Sequence, residues 1–93
     1  MAKYSIQLYI SSNTATSIKA LELLNGICTE YLNGDCDVEV IDILEHPEKA
    51  EELNILAIPT LIRKWPLPEV RMIGALNVKT RLLTGLGIEV DEA

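Results

Sequence analysis

The side chains of this chain that could carry covalent chemistry are two cysteines, one histidine and two adjacent serines. Cys28 and Cys36 are too far apart for a C-x-x-C pair, and too few for a metal site. A disulfide between them is conceivable, but we expect no secretory signal and hence reduced thiols, with Cys28 a small core residue. His46 precedes a proline at a predicted helix start, which favours a capping or surface role. Ser11 and Ser12 have no obvious base nearby, so we expect no nucleophilic catalysis.

The composition is that of one soluble domain covering residues 1–93. Hydrophobic residues make up 48% of the chain and charged residues 24%. No apolar run approaches the roughly 18 residues of a membrane span, and we expect a cytoplasmic protein. The net charge of −6 argues against binding to nucleic acid or to an anionic membrane.

The positive charge is concentrated in one stretch. Between Ile62 and Arg81 there are five of the eight basic residues and one acid, Glu69. The five basic residues are Arg63, Lys64, Arg71, Lys79 and Arg81. One interpretation is a solvated face, paired with the acidic helix that carries Glu48, Glu51 and Glu52. The other is a surface that docks onto an acidic partner protein.

The first half of the chain predicts a strand, a helix and a second strand. Tyr4–Ile10 is rich in β-formers. From Ala15 to Leu32, apolar side chains recur at helical spacing, and Asn33-Gly34 favours a left-handed end. These apolar positions are Ile18, Leu21, Leu24, Ile27, Cys28 and Tyr31. Val38–Leu44 is almost continuously apolar, which predicts a central strand parallel to the first.

The second half predicts a short helix, a hairpin and a last helix. Pro47 opens a helix that runs to about Leu53. Two strands follow, Thr60–Trp65 and Val70–Ile73, separated by a proline turn. Asn77 can cap a helix over Val78–Thr84, and Ile88–Ala93 is an acidic tail or an additional strand.

This β-α-β-α-β-β-α order is the thioredoxin-like order, an α/β fold. The Ile58-Pro59-Thr60 step, which enters a strand, resembles the cis-proline step of that fold, although the proline could simply begin a strand. Thiol exchange in that fold needs a thiolate in the first turn of the first helix. Here that turn, residues 11–15, contains no cysteine. We therefore expect no enzyme activity, no metal and no cofactor.

Motifs along nearly the whole chain resemble the circadian clock protein KaiB family. The most specific are Ile55-Leu56-Ala57-Ile58-Pro59-Thr60-Leu61 and Val40-Ile41-Asp42-Ile43-Leu44. Weaker matches include Asn13-Thr14 and Ile73-Gly74. A similar domain forms the sensor end of the clock histidine kinase SasA.

The resemblance implies a non-enzymatic adaptor that binds a KaiC-type ATPase ring and then captures KaiA or displaces a SasA-type kinase. It also implies two folds. One is the thioredoxin-like monomer, and the other is a homo-oligomer, a dimer or tetramer, of order β-α-β-β-α-α-β. The implied partner-binding positions are Lys19, Glu39, Asn54, Arg63, Lys64 and Arg71. The implied fold-switch positions are Pro59, Pro66, Pro68, Gly85 and Gly87.

The chain also departs from the family pattern. Glu39 stands where clock members carry a basic residue implicated in KaiA contact, and Asn54 replaces a lysine implicated in KaiC contact. Leu67 lies within the proline turn, while Ala75 and Gly87 stand where acids are usual. With Glu39 in place of the usual basic residue, we expect a KaiA-type partner to bind poorly. The departures leave open two other functions: a KaiB-like stress-response adaptor with another partner, and a thiol protein of thioredoxin fold.

Overall fold

The computed structural model describes residues 3–55, 57–74 and 76–88. Within these ranges the chain forms a four-stranded sheet and three helices, in the predicted β-α-β-α-β-β-α order. The elements are β1 (Tyr4–Ile10), α1 (Ala15–Leu32), β2 (Cys36–Asp42), α2 (Pro47–Glu52), β3 (Thr60–Trp65), β4 (Val70–Ile73) and α3 (Lys79–Gly85). None of the helices in the described ranges is both long and apolar enough to span a bilayer.

The bounds of β1 and α1 agree with those predicted, because both have strong local signals. Asn33 closes α1 in the left-handed conformation, with φ 54°, and Gly34 follows at φ 76°. The buried face of α1 carries Leu24 and Ile27. Ile18 was expected on this face but is 48% exposed, because it lies at the flank of the helix.

β2 is parallel to β1, as predicted, but its predicted central position is wrong. The strand order is β2-β1-β3-β4, so β2 is an edge strand. It also lies two residues earlier than predicted at both ends, beginning at Cys36 and ending at Asp42. Val40 is 43% exposed. The apolar run of β2 therefore includes residues at an open edge, and β1 takes the centre between a parallel and an antiparallel neighbour.

Two apolar cores lie on opposite faces of the sheet. The larger packs α1 and α3 against one face, and its fully buried members include Ile6, Leu8, Leu24, Leu61, Leu82 and Leu86. The smaller contains Tyr9, Ile41 and Ile62, covered by side chains that flank α2, namely Ile43, Leu53, Ile55 and Ile58. Each strand thus presents alternate residues to two different layers.

The C-terminal third forms the predicted hairpin and helix. β3 and β4 are antiparallel, with Leu61 opposite Met72. α3 begins one residue later than predicted, after Val78, and no side chain caps it, so the predicted Asn77 cap is wrong. The choice between an acidic tail and a strand after Ile88 lies mostly outside the described residues, as does Ala75.

Cys28 and Cys36 form a disulfide, with their Cα atoms 6.0 Å apart. This corrects the expectation of reduced thiols. The left-handed turn at Asn33 and Gly34 returns the chain beside α1, so the first residue of β2 lies alongside Cys28. The expectation rested on the cellular compartment and took no account of this turn.

Candidate partner-binding surface

The first turn of α1 contains hydroxyl groups whose hydrogen bonds are local. The Ser11 carbonyl accepts bonds from the Thr14 N–H and the Thr14 hydroxyl, each at 3.0 Å. The Ser17 hydroxyl accepts the Ser11 N–H at 3.1 Å. In the part of the chain that the structure describes, no three His, Cys, Asp or Glu side chains are grouped as metal ligands would be. His46 is half-exposed and 3.4 Å from Glu48, consistent with the predicted surface role.

A small cleft lies between α1 and Pro59. Pro59 is buried, and the Ile58–Pro59 bond is cis, as the resemblance to the thioredoxin-like step implied. The cleft has a volume of about 170 Å³ and is lined by Thr16, Ile58, Pro59, Gly74, Leu76 and Asn77. None of these described lining side chains is a thiol or an ionisable group, so none of them can take part in thiol exchange.

One row of side chains crosses all four strands on the face that carries α2. Strand pairing aligns Glu39 with Gln7, Gln7 with Ile62, and Ile62 with Arg71. The row begins with a carboxylate on β2 and ends with a guanidinium on β4. We call Glu39, Gln7, Ile62 and Arg71 the cross-strand row.

Both charged ends of the cross-strand row are held by neighbouring groups. The Gln7 amide donates to Glu39 Oε1 at 3.0 Å, and Lys49 Nζ lies 3.7 Å from Glu39 Oε2. At the other end, Arg71 Nη2 donates to the Leu53 carbonyl at 3.0 Å. Glu39 therefore contacts α2 itself and Arg71 contacts Leu53, the residue that follows α2, while both charged side chains remain exposed to solvent.

Tyr9 lies beneath this surface and is only 1% exposed. Burial raises the pKa of its phenol above the ordinary value of 10.0, and the Glu39 carboxylate raises it further. Lys64 and Arg71 act in the opposite direction. The folded state thus favours the neutral phenol more strongly than the unfolded state does.

We expect Tyr9→Phe to remove part of the alkaline loss of stability. With a raised folded pKa, Tyr9 contributes stability that is complete below its unfolded pKa and is lost as pH rises above about 10. Urea unfolding of both proteins between neutral and alkaline pH measures this contribution. The difference in tyrosinate absorbance between the two proteins isolates the Tyr9 titration. A Tyr9 midpoint at or below the ordinary value would contradict the assignment.

The other predicted partner positions are only partly brought together. Asn54 is exposed directly after α2 and adopts a left-handed conformation, φ 56°. Lys64 is exposed on β3, where it pairs with Glu69 at 3.0 Å. Lys19 is exposed on α1, which covers the opposite face of the sheet. The structure therefore places Asn54 and Arg71 on one side of the sheet and Lys19 on the other.

Arg63 is not a surface residue. It is 8% exposed; Nη1 donates to the Leu86 carbonyl at 2.9 Å and Nη2 to the Pro68 carbonyl at 3.0 Å. A β-carbon at Gly87 would lie 3.1 Å from the same Nη1. Arg63 thus joins β3 to the end of α3 and to the β3–β4 turn. The expectation that it faces a partner does not agree with this buried position.

The alternative interpretation, in which the basic residues pair with the acidic side chains of α2, does not agree with the ion pairs of the described residues. Lys64 pairs with Glu69, and Lys79 lies 3.1 Å from Glu30 on α1. Among the described residues, no ion pair joins the basic stretch to the acidic side chains of α2, and Arg71 reaches that segment through a backbone carbonyl instead.

Sequence reasoning missed Gln7, Tyr9 and Lys49. The signal was present, since β1 and β2 were predicted as parallel neighbours of similar length. Aligning them would place Gln7 and Glu39 side by side, but only with the correct start of β2. The two-residue error in that start hid the pair.

The predicted fold-switch positions lie around the hairpin and α3. Pro66 and Pro68 flank Leu67 in the β3–β4 turn, where Leu67 is exposed. Gly85 packs against the Met72 side chain, beside a groove of about 350 Å³ between β4 and α3. Their role in a change of fold stays a prediction.

Known proteins resemble this chain in both sequence and fold. The KaiB domain family model matches residues 7–88. The chain is 40% identical over 89 residues to the circadian clock oscillator protein KaiB of Thermostichus vulcanus, covering 96% of this chain and 82% of that protein. It is 42% identical to the protein of the same name from Prochlorococcus marinus, covering 96% and 75%.

This chain superposes on solved structures that have the thioredoxin-like fold. Chloroplastic thioredoxin z superposes with a TM-score of 0.77 at 20% identity, covering 92% of this chain and 77% of that one. The N-terminal domain of Synechococcus elongatus SasA superposes with a TM-score of 0.71 at 14% identity, covering 90% and 79%. Since the family model matches residues 7–88 and the chain is 40% identical to a family protein of which it covers 82%, this chain is a member of the KaiB family.

Proposed function

We propose that this chain is a non-enzymatic clock adaptor that binds a KaiC-type ATPase ring and modulates the phosphorylation or signalling of that ring. The observation that carries the proposal is family membership over residues 7–88, with relatives named circadian clock oscillator protein KaiB. The SasA N-terminal domain, from a clock kinase, has the same fold. The thiol-free cleft at Pro59 supports an adaptor in preference to a thiol enzyme.

The α2 side of the sheet is the surface we assign to the ring. Arg71 is exposed there, and Asn54 lies beside its hydrogen-bond acceptor, Leu53. Lys64, on the adjacent strand, is also exposed. Lys64 is two residues after Ile62 on β3, and Ile62 is opposite Arg71, so the strand register places both cations on the same face of the sheet. Exposed charges of this kind steer association and make it dependent on salt.

We expect Arg71→Glu to weaken binding to a KaiC-type ring from the same organism by about tenfold, mainly through slower association. Fluorescence anisotropy of the labelled chain, at several salt concentrations, measures both affinity and its salt dependence. Arg81→Glu is the matched control, because it makes the same change of charge on α3, on the opposite layer. The melting temperature of each variant checks that the fold is intact.

Two results would contradict this proposal at different levels. If Arg71→Glu and Arg81→Glu both bind like the wild type, the assigned surface is wrong. If the wild type itself does not bind the ring, the adaptor function as stated is wrong, and the stress-response alternative gains support.

A further inference from the structure

The disulfide lies far from the position at which a thioredoxin-like fold carries reactive thiols. Cys28 is in the second half of α1, and Cys36 is the first residue of β2. Both side chains are half-buried, so a small thiol can reach the bond. Neither cysteine is among the described residues that line the cleft at Pro59, so we expect the bond to act on the elements that it joins.

The backbone holds the two cysteines together through its own hydrogen bonds. The Gly34 N–H donates to the Cys28 carbonyl at 2.9 Å, and the Asp35 N–H to the Leu32 carbonyl at 2.9 Å. This turn reverses the chain at the end of α1. The resulting Cα separation of 6.0 Å is within the usual range for disulfides. Backbone hydrogen bonds that do not involve the sulfur atoms therefore also define the turn that brings the two cysteines together.

The bond anchors the first residue of the edge strand β2 to α1. Within the described ranges β2 pairs only with β1, through the register that begins with Tyr4 opposite Cys36. The Tyr4 N–H donates to the Asp35 carbonyl at 3.3 Å. Among the described residues no strand lies on its other side, so the start of β2 is held by this ladder, by the turn and by the bond to α1. Breaking the bond removes one of three restraints.

We propose that Cys28 and Cys36 form a redox-responsive staple that sets the order of the α1–β2 turn and the start of β2. This inference rests on the fold and not on the proposed ring binding. The oxidant is a low-molecular-weight disulfide such as oxidised glutathione.

The exchange proceeds in two balanced steps. One protein thiolate attacks the oxidant, forming a mixed disulfide and releasing one glutathione thiolate. The second protein thiolate attacks the protein sulfur of that mixed disulfide, forming the Cys28–Cys36 bond and releasing the second glutathione thiolate. The two protein thiols lose two protons, and two electrons pass to glutathione. A dithiol reductant reverses the reaction.

The test compares the full chain after equilibration with oxidised glutathione and with excess dithiothreitol. Alkylation and mass spectrometry count free thiols in each state. We expect none in the oxidised protein and two in the reduced protein. The bond spans a sequence separation of 8 and restricts the unfolded chain, so oxidation should raise Tm by about 10 °C. Hydrogen exchange at Gly34, Asp35 and Tyr4 should be several-fold slower in the oxidised protein.

The double variant Cys28→Ser/Cys36→Ser is the control. It should melt at the Tm of the reduced wild type and respond to neither reagent. The proposal is overturned if both thiols remain alkylatable after oxidation, or if the bond forms only between chains. It is equally overturned if an intrachain bond forms with no change in Tm or exchange.

Discussion

Replacing Arg63 by alanine is expected to lower the free energy of unfolding by about 3 kcal/mol. The guanidinium donates to two backbone carbonyls, on Leu86 and Pro68, that are far apart in sequence. Without it, these carbonyls lose a charged donor in a largely buried place, while α3 and the β3–β4 turn lose their common tether. For a domain of this size, such a loss corresponds to a drop in Tm of about 12 °C or more.

Thermal and urea unfolding of three variants tests this account. Lys64→Ala removes the adjacent basic residue, whose exposed pair with Glu69 contributes at most about 1 kcal/mol. Arg63→Lys keeps the charge, but its single ammonium cannot reproduce the fork that spans two carbonyls, so we expect an intermediate loss. If Arg63→Ala is no more destabilising than Lys64→Ala, the tether contributes nothing to stability.

Gly87→Ala is expected to cost about 2 kcal/mol, for two separate reasons. Gly87 has φ 75°, a left-handed conformation that any residue with a β-carbon adopts at a cost. The new methyl group would also lie 3.1 Å from Arg63 Nη1, so the guanidinium would have to move by a few tenths of an ångström, which disturbs its hydrogen bond to the Leu86 carbonyl. Urea unfolding measures the total cost.

Two other glycines separate these contributions. Gly34 and Gly74 have φ of 76° and 72°, but a β-carbon there would meet nothing within 4 Å. Gly34→Ala and Gly74→Ala should therefore show the backbone cost alone, about 1–2 kcal/mol. The excess for Gly87→Ala should disappear in an Arg63→Ala background. Equal costs at all three glycines would show that the contact with Arg63 is unimportant.

Elements defined by short-range signals were predicted more accurately than elements whose bounds depend on contacts with distant segments. β1, α1, β3 and β4 were predicted at their observed bounds, because alternation, helical spacing and the Asn33 end are local signals. The start of β2 and the start of α3 were displaced. Pairing with β1 shifts β2 two residues towards the N-terminus, to Cys36–Asp42, and no side chain caps α3.

The candidate surface was predicted less well than the fold. Five basic residues in one stretch indicated a charged surface but not the direction of each side chain. Arg63 and Arg71 illustrate the difference. Arg63 lies on the same face of β3 as Leu61 and points towards the layer that contains α3. Arg71 lies opposite Ile62, on the other face, and reaches Leu53 after α2. Direction depends on strand register, which basic composition does not encode.

The sequence alone determined the class of the fold, the order of its elements and the absence of a thiol from the first turn of α1. These depend on residue type and short-range periodicity. Only the tertiary structure decided that β2 lies at an edge, that Cys36 returns to Cys28, and that Arg63 is buried beneath Leu86 and Pro68. Each of these joins groups from separate segments, so it depends on strand order and chain reversal, which local patterns do not specify.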